Sequence, residues 1–295
     1  MKALTVGLPY IGSKKKIAGQ IVRYFKQSYP EHGVVYDLFG GGGSVSAQSL
    51  LQGLNVRYND KDPKVTQMFH HALTLEKDQL PDLVLTREQF QATKSLSQKT
   101  PAQNLALLLL NSFACDMTSY LYAQPKSDPK YRLTKQILQQ HGLPSQYRYK
   151  ATPEYRSACQ KALSGKVTPP NRPESLTHLE RLIQLERLTQ LRPHLDKLTL
   201  TTKDYRAYSH LKGQLLYLDP PYENTKNPYL EPFDHEAFYD WAHEMSKQNT
   251  VLISSYHISD PRFYPVLHFK SAKRTLNPAT ATHHEKLYAA KQEKI

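Results

Sequence analysis

Residues 34–51 read Val34-Val35-Tyr36-Asp37-Leu38-Phe39-Gly40-Gly41-Gly42-Gly43-Ser44-Val45-Ser46-Ala47-Gln48-Ser49-Leu50-Leu51. A short apolar run ends in an acid, opens into four glycines and passes into a helical pattern from Ser44 to Leu51. A second strand-like run, Asn55 to Tyr58, ends at Asn59-Asp60. Strand, glycine turn, helix, strand is a βαβ unit, whose parallel strands require a crossover helix. Glycine at such a turn lets backbone approach a ligand, and the helix start offers free N–H donors. No Lys-Ser/Thr follows Gly43, which excludes a Walker P-loop. Asp60 lies 17 positions beyond Gly43, a spacing suited to a carboxylate that accepts from ribose hydroxyls. At this point two readings stand: an NAD-type site, or an adenosyl site of the S-adenosylmethionine type.

Outward from this unit, Ile17 to Phe25 has helical spacing. The last third returns to α/β alternation. Strands are predicted at Lys197–Thr201, Leu215–Leu218 and Val251–Ser255, a helix at Phe233–Lys247, and a closing hairpin from Val266–Phe269 and Lys286–Ala290. Between them, Pro63 to Pro173 is helical, basic and punctuated by Tyr and Pro, with Leu105–Leu110 as its buried helix and Ser164–Pro173 as a loop. A leucine-rich helix begins at Ser175, and with fewer than three heptads it is a packed core helix rather than a coiled coil. The expected architecture is an α/β sheet interrupted by an inserted basic module.

Composition sets the limits. The 295 residues are 39% apolar, enough for a core. Cys115 and Cys159 can build neither a disulfide framework nor a four-thiolate zinc site. His70-His71 and His283-His284 lack metal-ligand spacing, so no metal is expected. Met1–Tyr10 lacks an export signal and no apolar stretch is long enough for a bilayer, so a soluble, cytoplasmic protein is expected with no membrane partner. Lys and Arg number 39 against 26 acids, a net charge of +13. Ten of those cations and only two acids fall between Lys126 and Arg172. Charge concentrated in this way favours a polyanionic partner.

Asp219-Pro220-Pro221-Tyr222 decides between the two readings. It follows the apolar run Leu215–Leu218, so it falls at the carboxyl end of a buried strand, where open α/β sheets bind ligands. The prolines stiffen the backbone and remove two N–H groups. A cluster of acceptors remains, the Asp219 carboxylate and the Pro220 carbonyl, beside an aromatic face. That set suits an exocyclic amine on a flat ring.

With Pro9-Tyr10-Ile11-Gly12-Ser13-Lys14, Asp37 to Gly43, Asn59-Asp60, Lys203-Asp204-Tyr205, Asp219 to Tyr222 and Ile253-Ser254-Ser255-Tyr256 in this order, the chain resembles the Dam-like DNA adenine N6-methyltransferases. The resemblance covers both ends and leaves the middle unmatched. It implies a Rossmann-like methyltransferase sheet with an inserted, mostly helical target-recognition domain. The catalytic domain would comprise residues 1–63 and 174–295, and the recognition domain 64–173.

It further implies S-adenosyl-L-methionine as methyl donor, bound by Tyr10, Lys14, Asp37, Phe39, Gly41, Asp60, Asp204, Tyr205 and Asp219. Lys14 would meet the methionine carboxylate, although by itself Lys14-Lys15-Lys16 reads as a solvated basic run. Asp219, Pro220 and Tyr222 would be catalytic on a flipped-out adenine. Double-stranded DNA is the implied partner, with Lys126, Lys130, Arg132, Arg148 and Arg156 as candidate contacts. Tyr120, Tyr122, Tyr131, Tyr147, Tyr149 and Tyr155, interleaved with them, would suit base stacking. A cognate restriction endonuclease is left open as a second partner. The residues leave three alternatives: another amine acceptor (cytosine N4, adenine in RNA or a protein glutamine), a catalytically silent DNA-binding homologue, and an NAD oxidoreductase, for which no acid/base set is found. Neither cysteine follows a proline, which argues against C5-cytosine methylation.

Overall fold

The computed structural model describes residues 5–10, 12–123, 127–144, 148–164, 176–223, 233–269 and 284–291. In chain order the elements are α1 (Ala18–Ser28), β1 (Val34–Asp37), α2 (Ser44–Leu51), β2 (Asn55–Asn59), α3 (Pro63–Thr74), α4 (Arg87–Lys94), α5 (Pro101–Leu105), α6 (Ser127–His141), α7 (Pro153–Ser164), α8 (Thr177–Thr189), β3 (Leu198–Thr201), β4 (Leu215–Leu218), α9 (His235–Ser246), β5 (Thr250–Ser255), β6 (Phe263–His268) and β7 (Lys286–Ala290). They form two compact units: residues 1–4, 14–66 and 194–295, and residues 5–13 and 67–193.

The first unit holds a seven-stranded sheet in the order β3-β2-β1-β4-β5-β7-β6. Strands β3, β2, β1, β4 and β5 run parallel, and β7 pairs antiparallel with both β5 and β6. This is the expected α/β, Rossmann-like sheet, and the expected tail hairpin is its antiparallel edge. Burial explains the strands. All four residues of β4 are buried, so both faces of the centre are covered, as in parallel sheets generally. Leu215 and Tyr217 face one core with Val35, Leu252, Leu287 and the α1 residues Ile21, Val22 and Phe25. Leu216 and Leu218 face the other with Ile253, Tyr288 and the α9 residues Phe238 and Ala242. That is the period of two a strand imposes. Each such side chain contributes roughly 1.5–3 kcal/mol on burial.

The strand order reverses between β1 and β4, each of which leads away to opposite ends of the sheet. In open α/β sheets the crevice outside such a reversal is the binding site. Val35 pairs with Leu215 and Asp37 with Tyr217, so the chain leaves β1 through the glycines and leaves β4 through Asp219 at the same edge.

The second unit is helical. Its Leu105–Leu110 helix is real but short: α5 gives way to a π-helical turn at Ala106–Leu110. The Arg181 guanidinium donates to the carbonyls of Leu109 and Ser112, both at 2.8 Å, closing that turn's exposed end. The leucine-rich helix α8 is a core helix as expected, but it belongs to this unit and not to the sheet unit. Leu179, Leu182, Leu185 and Leu188 are fully buried there. Residues 5–13 go with it, because Gln184 donates to Gly7 O at 2.7 Å and Arg187 to Thr5 Oγ1 at 3.1 Å. The compact units therefore divide after residues 4, 13, 66 and 193, where the sequence pattern alone placed one insertion at 64–173.

Candidate active site

The glycine turn is shaped by β2. Gly40 N donates to Asn59 O at 2.7 Å. A Cβ on Gly40 would stand 2.1 Å from the Tyr58 ring, which is fully buried, with its hydroxyl bonded to Gly41 O at 2.9 Å. Gly41 and Gly43 take φ of 48° and 67°, where a side chain is strained. Gly41 N donates to Asp60 Oδ2 at 2.8 Å, and Asp62 N to Asp60 Oδ1 at 2.9 Å. Burial raises the Asp60 carboxyl above its ordinary range, more than these two bonds lower it.

Asp37 ends β1 fully buried. Its Oδ2 accepts from Ser46 Oγ at 2.7 Å, while Oδ1 has no hydrogen-bond partner among the described residues. Burial first, and then the charges of Asp219 and Asp60, push its pKa up to about 7. Asn59, beside it in the fold, is a buried clamp. Its amide donates to Leu38 O and Lys203 O, and its Oδ1 accepts from Lys203 N and from the Thr201 and Tyr208 hydroxyls. The ends of β1, β2 and β3 are thereby held together.

Asp219 stands just beyond β4. Its Oδ2 is 2.7 Å from Lys14 Nζ, and its Oδ1 has no hydrogen-bond partner among the described residues. Lys14 is buried, so the solvated run that the sequence alone suggested is corrected at this position. The same ammonium lies 3.3 Å from Glu285 Oε1 and 5.0 Å from the centre of the Tyr222 ring. The Tyr222 hydroxyl donates to Glu285 Oε1 at 2.5 Å, and its ring meets that of Tyr256 edge-on at 4.9 Å. Burial alone would lower the lysine, but Asp219 and Glu285 outweigh it and raise its pKa. Burial lifts Asp219 to about 6 against the pull of Lys14, and Glu285 adds to the rise. Pro220 is buried, and the turn is tied to α9 by His235, whose Nε2 is 2.9 Å from Pro221 O.

Phe39 and Tyr205 stack at 5.6 Å, and Tyr205 also meets the edges of Phe238 and Trp241. Asp204 accepts from Arg206 N and pairs with the Arg206 guanidinium, which holds its carboxyl below the ordinary range against slight burial. The structure thus brings Lys14, Asp37, Phe39, Gly41, Asp60, Asp204, Tyr205, Asp219, Pro220 and Tyr222 into one unit, around the carboxyl ends of its central strands.

Tyr10 belongs to the second unit, where its carbonyl accepts from Ser13 N. Arg132, Arg148 and Arg156 are exposed there, and Lys130 Nζ lies 4.6 Å over the Tyr122 ring. Lys126 and Tyr147 fall outside the described residues. The stacking expectation needs correction at four tyrosines: Tyr120, Tyr122, Tyr149 and Tyr155 are buried within the unit. Their hydroxyls serve it too, with Tyr120 donating to Leu85 O and Tyr149 to Glu180.

Glu285 is the residue sequence reasoning missed. It lies 63 positions beyond Tyr222 and carries no local motif. Among the described residues there is no cluster of three His, Cys, Asp or Glu able to hold a metal ion, and no helix long and apolar enough to cross a membrane. Residues 10–102 match the family of D12 class N6 adenine-specific DNA methyltransferases, in agreement with the resemblance carried by the motifs. No curated protein matches the chain. The match takes in Lys14, the glycine turn and Asp60 and ends before Asp204 and Asp219.

Proposed function

From a chain whose residues 10–102 match the D12 class, we propose a site-specific DNA methyltransferase that moves a methyl group from S-adenosyl-L-methionine to N6 of adenine in double-stranded DNA, by direct in-line transfer. The observation that carries this reading is the buried Asp219 Oδ1, without a hydrogen-bond partner among the described residues, at the carboxyl end of β4 beside the strand-order reversal.

The residues present fit the methyl donor. Asp37 Oδ1 and Asp219 Oδ1 are buried acceptors lacking a partner among the described residues, and the glycine turn exposes backbone without side chains. Asp37, Phe39, Gly41, Asp60, Asp204 and Tyr205 would hold it, with Lys14 as the nearby cation. When bound, it supplies an electrophilic methyl on a sulfonium.

The chain's own residues do the rest. Adenine N6 is a weak nucleophile because its lone pair is delocalised into the ring. The Asp219 carboxylate and the Pro220 carbonyl accept the two N6 hydrogens and return electron density to the nitrogen. Tyr222 gives the flipped base a face to stack on. Because acceptors and ring are fixed before the base arrives, catalysis is positioning and electrostatic preorganisation. An ionised Asp219 is required, so activity falls as the pH drops through about 6. Exposed Arg132, Arg148 and Arg156 contact phosphates in this reading.

The test is expression of the chain and of Asp219→Ala in cells lacking adenine methylation, with N6-methyladenine mapped by single-molecule sequencing. A sequence motif methylated only by the unaltered protein is expected. The same mark from Asp219→Ala refutes the role of Asp219, and no mark from a folded protein that binds the donor refutes adenine as the substrate.

A further inference from the structure

The four side chains at the end of β4 contain two carboxylates for one ammonium. Lys14 Nζ is 2.7 Å from Asp219 and 3.3 Å from Glu285, and Glu285 also accepts the Tyr222 hydroxyl at 2.5 Å. We propose that Glu285 is a positioning residue of the methyl-transfer site, an alternative partner that keeps Lys14 from neutralising Asp219 and fixes the Tyr222 ring. The inference rests on the adenine-methylation reading for its function, though not for its geometry.

The fold puts Glu285 there for a reason. In a parallel sheet every strand ends at the ligand-binding edge, and only a strand running the other way can begin at it. β7 is that strand. Its first residue, Lys286, pairs with Ser255 at the end of β5, so the residue before it emerges at the edge where β4 releases Asp219. The backbone of Glu285 is fixed as well, since Phe269 N donates to Glu285 O at 3.0 Å and carries the β6–β7 ladder one step further.

The chemistry explains why a second acid is useful. An ammonium bonded to Asp219 withdraws the electron density that the carboxylate must give to an amine hydrogen. A neighbouring carboxylate offers the same ammonium equal charge, so Lys14 can move toward it at little cost. The tyrosine hydroxyl donates to Glu285, and Asp219 Oδ1 has no hydrogen-bond partner among the described residues. Around Asp219 the charged and titratable groups are Lys14 ahead of α1, Asp37 at the end of β1, Tyr217 on its own strand, Tyr222 on its own turn and Glu285 at the start of β7. Among these, Glu285 is a like charge whose removal leaves Lys14 wholly on Asp219.

The experiment compares the full-length protein with Glu285→Gln and Glu285→Asp by two readouts. In the first, methyl transfer to DNA is followed from pH 5 to 8. Glu285→Gln is expected to lower kcat by about tenfold or more, the scale of one charge-assisted hydrogen bond, and to move the acidic limb to lower pH. Glu285→Asp should restore part of the rate and return the limb toward the unaltered position. A purely structural role would lower the rate in both variants without moving the limb.

The second readout needs no activity. The Asp219 carboxyl is titrated by carbon-13 NMR in aspartate-labelled protein, its signal assigned by its loss in Asp219→Asn. A lower midpoint in Glu285→Gln supports the proposal, and an unchanged midpoint overturns it, as does a wild-type rate with a wild-type limb. If the unaltered protein methylates no DNA while the midpoint still moves, the activity is refuted and the Glu285 contact stands. If Glu285→Gln does not fold, Glu285→Ala is titrated in its place, where a lowered midpoint supports the proposal and an unchanged one overturns it.

Discussion

Replacing Asp37 by Asn tests whether a buried acid at the end of β1 is kept for a ligand at the expense of stability. The carboxyl is fully buried, has one bonded oxygen and one without a partner among the described residues, and is raised from 3.8 to about 7. At 1.36 kcal/mol per pKa unit, the folded state bears about 4 kcal/mol for ionising this group that the unfolded chain does not. The sign follows from proton binding. Between pH 3.8 and about 7 the folded protein keeps a proton that the unfolded chain has released, so stability falls as pH rises through this window. The full penalty is present above about 7 and is relieved below 3.8.

Asparagine cannot ionise, and its carbonyl can still accept from Ser46. Its amide would lack a partner, at a cost of about 1–3 kcal/mol. Asp37→Asn is therefore expected to be more stable than the unaltered protein by about 1–3 kcal/mol at pH 8, with the difference lost or reversed near pH 4. Urea unfolding at several pH values measures it, and the difference between the two proteins cancels every group they share. A difference independent of pH, or an Asn variant that is less stable at pH 8, refutes the argument. The functional half has its own measurement. If Oδ1 is retained to accept a donor from S-adenosylmethionine, calorimetric affinity for that compound falls by about tenfold or more in the variant, despite its greater stability.

Further outcomes follow from the same geometry. Gly40→Ala drives a Cβ into the pinned Tyr58 ring and should cost about 1–3 kcal/mol or more, read as a lowered urea midpoint; an unchanged midpoint would show that Tyr58 can withdraw. Asn59→Ala strands several buried groups at the ends of β1, β2 and β3 and should cost about 3 kcal/mol or more by the same assay. His178 is fully buried, neither ring nitrogen has a partner among the described residues, and burial beside Arg181 and Lys130 lowers it from 6.5 to about 3. His178 therefore contributes a loss of about 2 kcal/mol at pH 5, with a pH dependence opposite in sign to that of Asp37, read as the difference between the pH series of unfolding curves for the unaltered protein and His178→Phe; a difference independent of pH refutes it.

The sheet was legible because its signals are local. Apolar runs ending in Asp37, Asn59-Asp60 and Asp219 mark strands that finish at a ligand edge, and the glycines between Phe39 and Ser44 allow only a tight turn into a helix. The second unit was harder to read. Tyr120, Tyr122, Tyr149 and Tyr155 alternate with basic residues as nucleic-acid binders do, but tertiary packing turns them inward, and no pattern of two or three neighbours distinguishes a stacking tyrosine from a core one. The leucines of α8 fit a packed helix equally well in either unit. What assigned them was contact with the Ala106–Leu110 turn and with residues 5–13, both far away in sequence.

Glu285 marks the deeper limit. Parallel strands β1, β2 and β4 advertise their functional ends with an acid after the apolar run, whereas an antiparallel strand contributes the residue before its start, where no run has yet begun. Its meaning comes only from charge balance. Among the described residues, Lys14 faces two carboxylates, Asp219 and Glu285, in a buried place, and Asp219 Oδ1 and Asp37 Oδ1 remain as acceptors without partners. Each of these features costs folding free energy, and each would be relieved by a ligand bringing a positive charge and N–H or O–H donors. In the proposed reading, a cationic methyl donor and an amine would supply that charge and those donors.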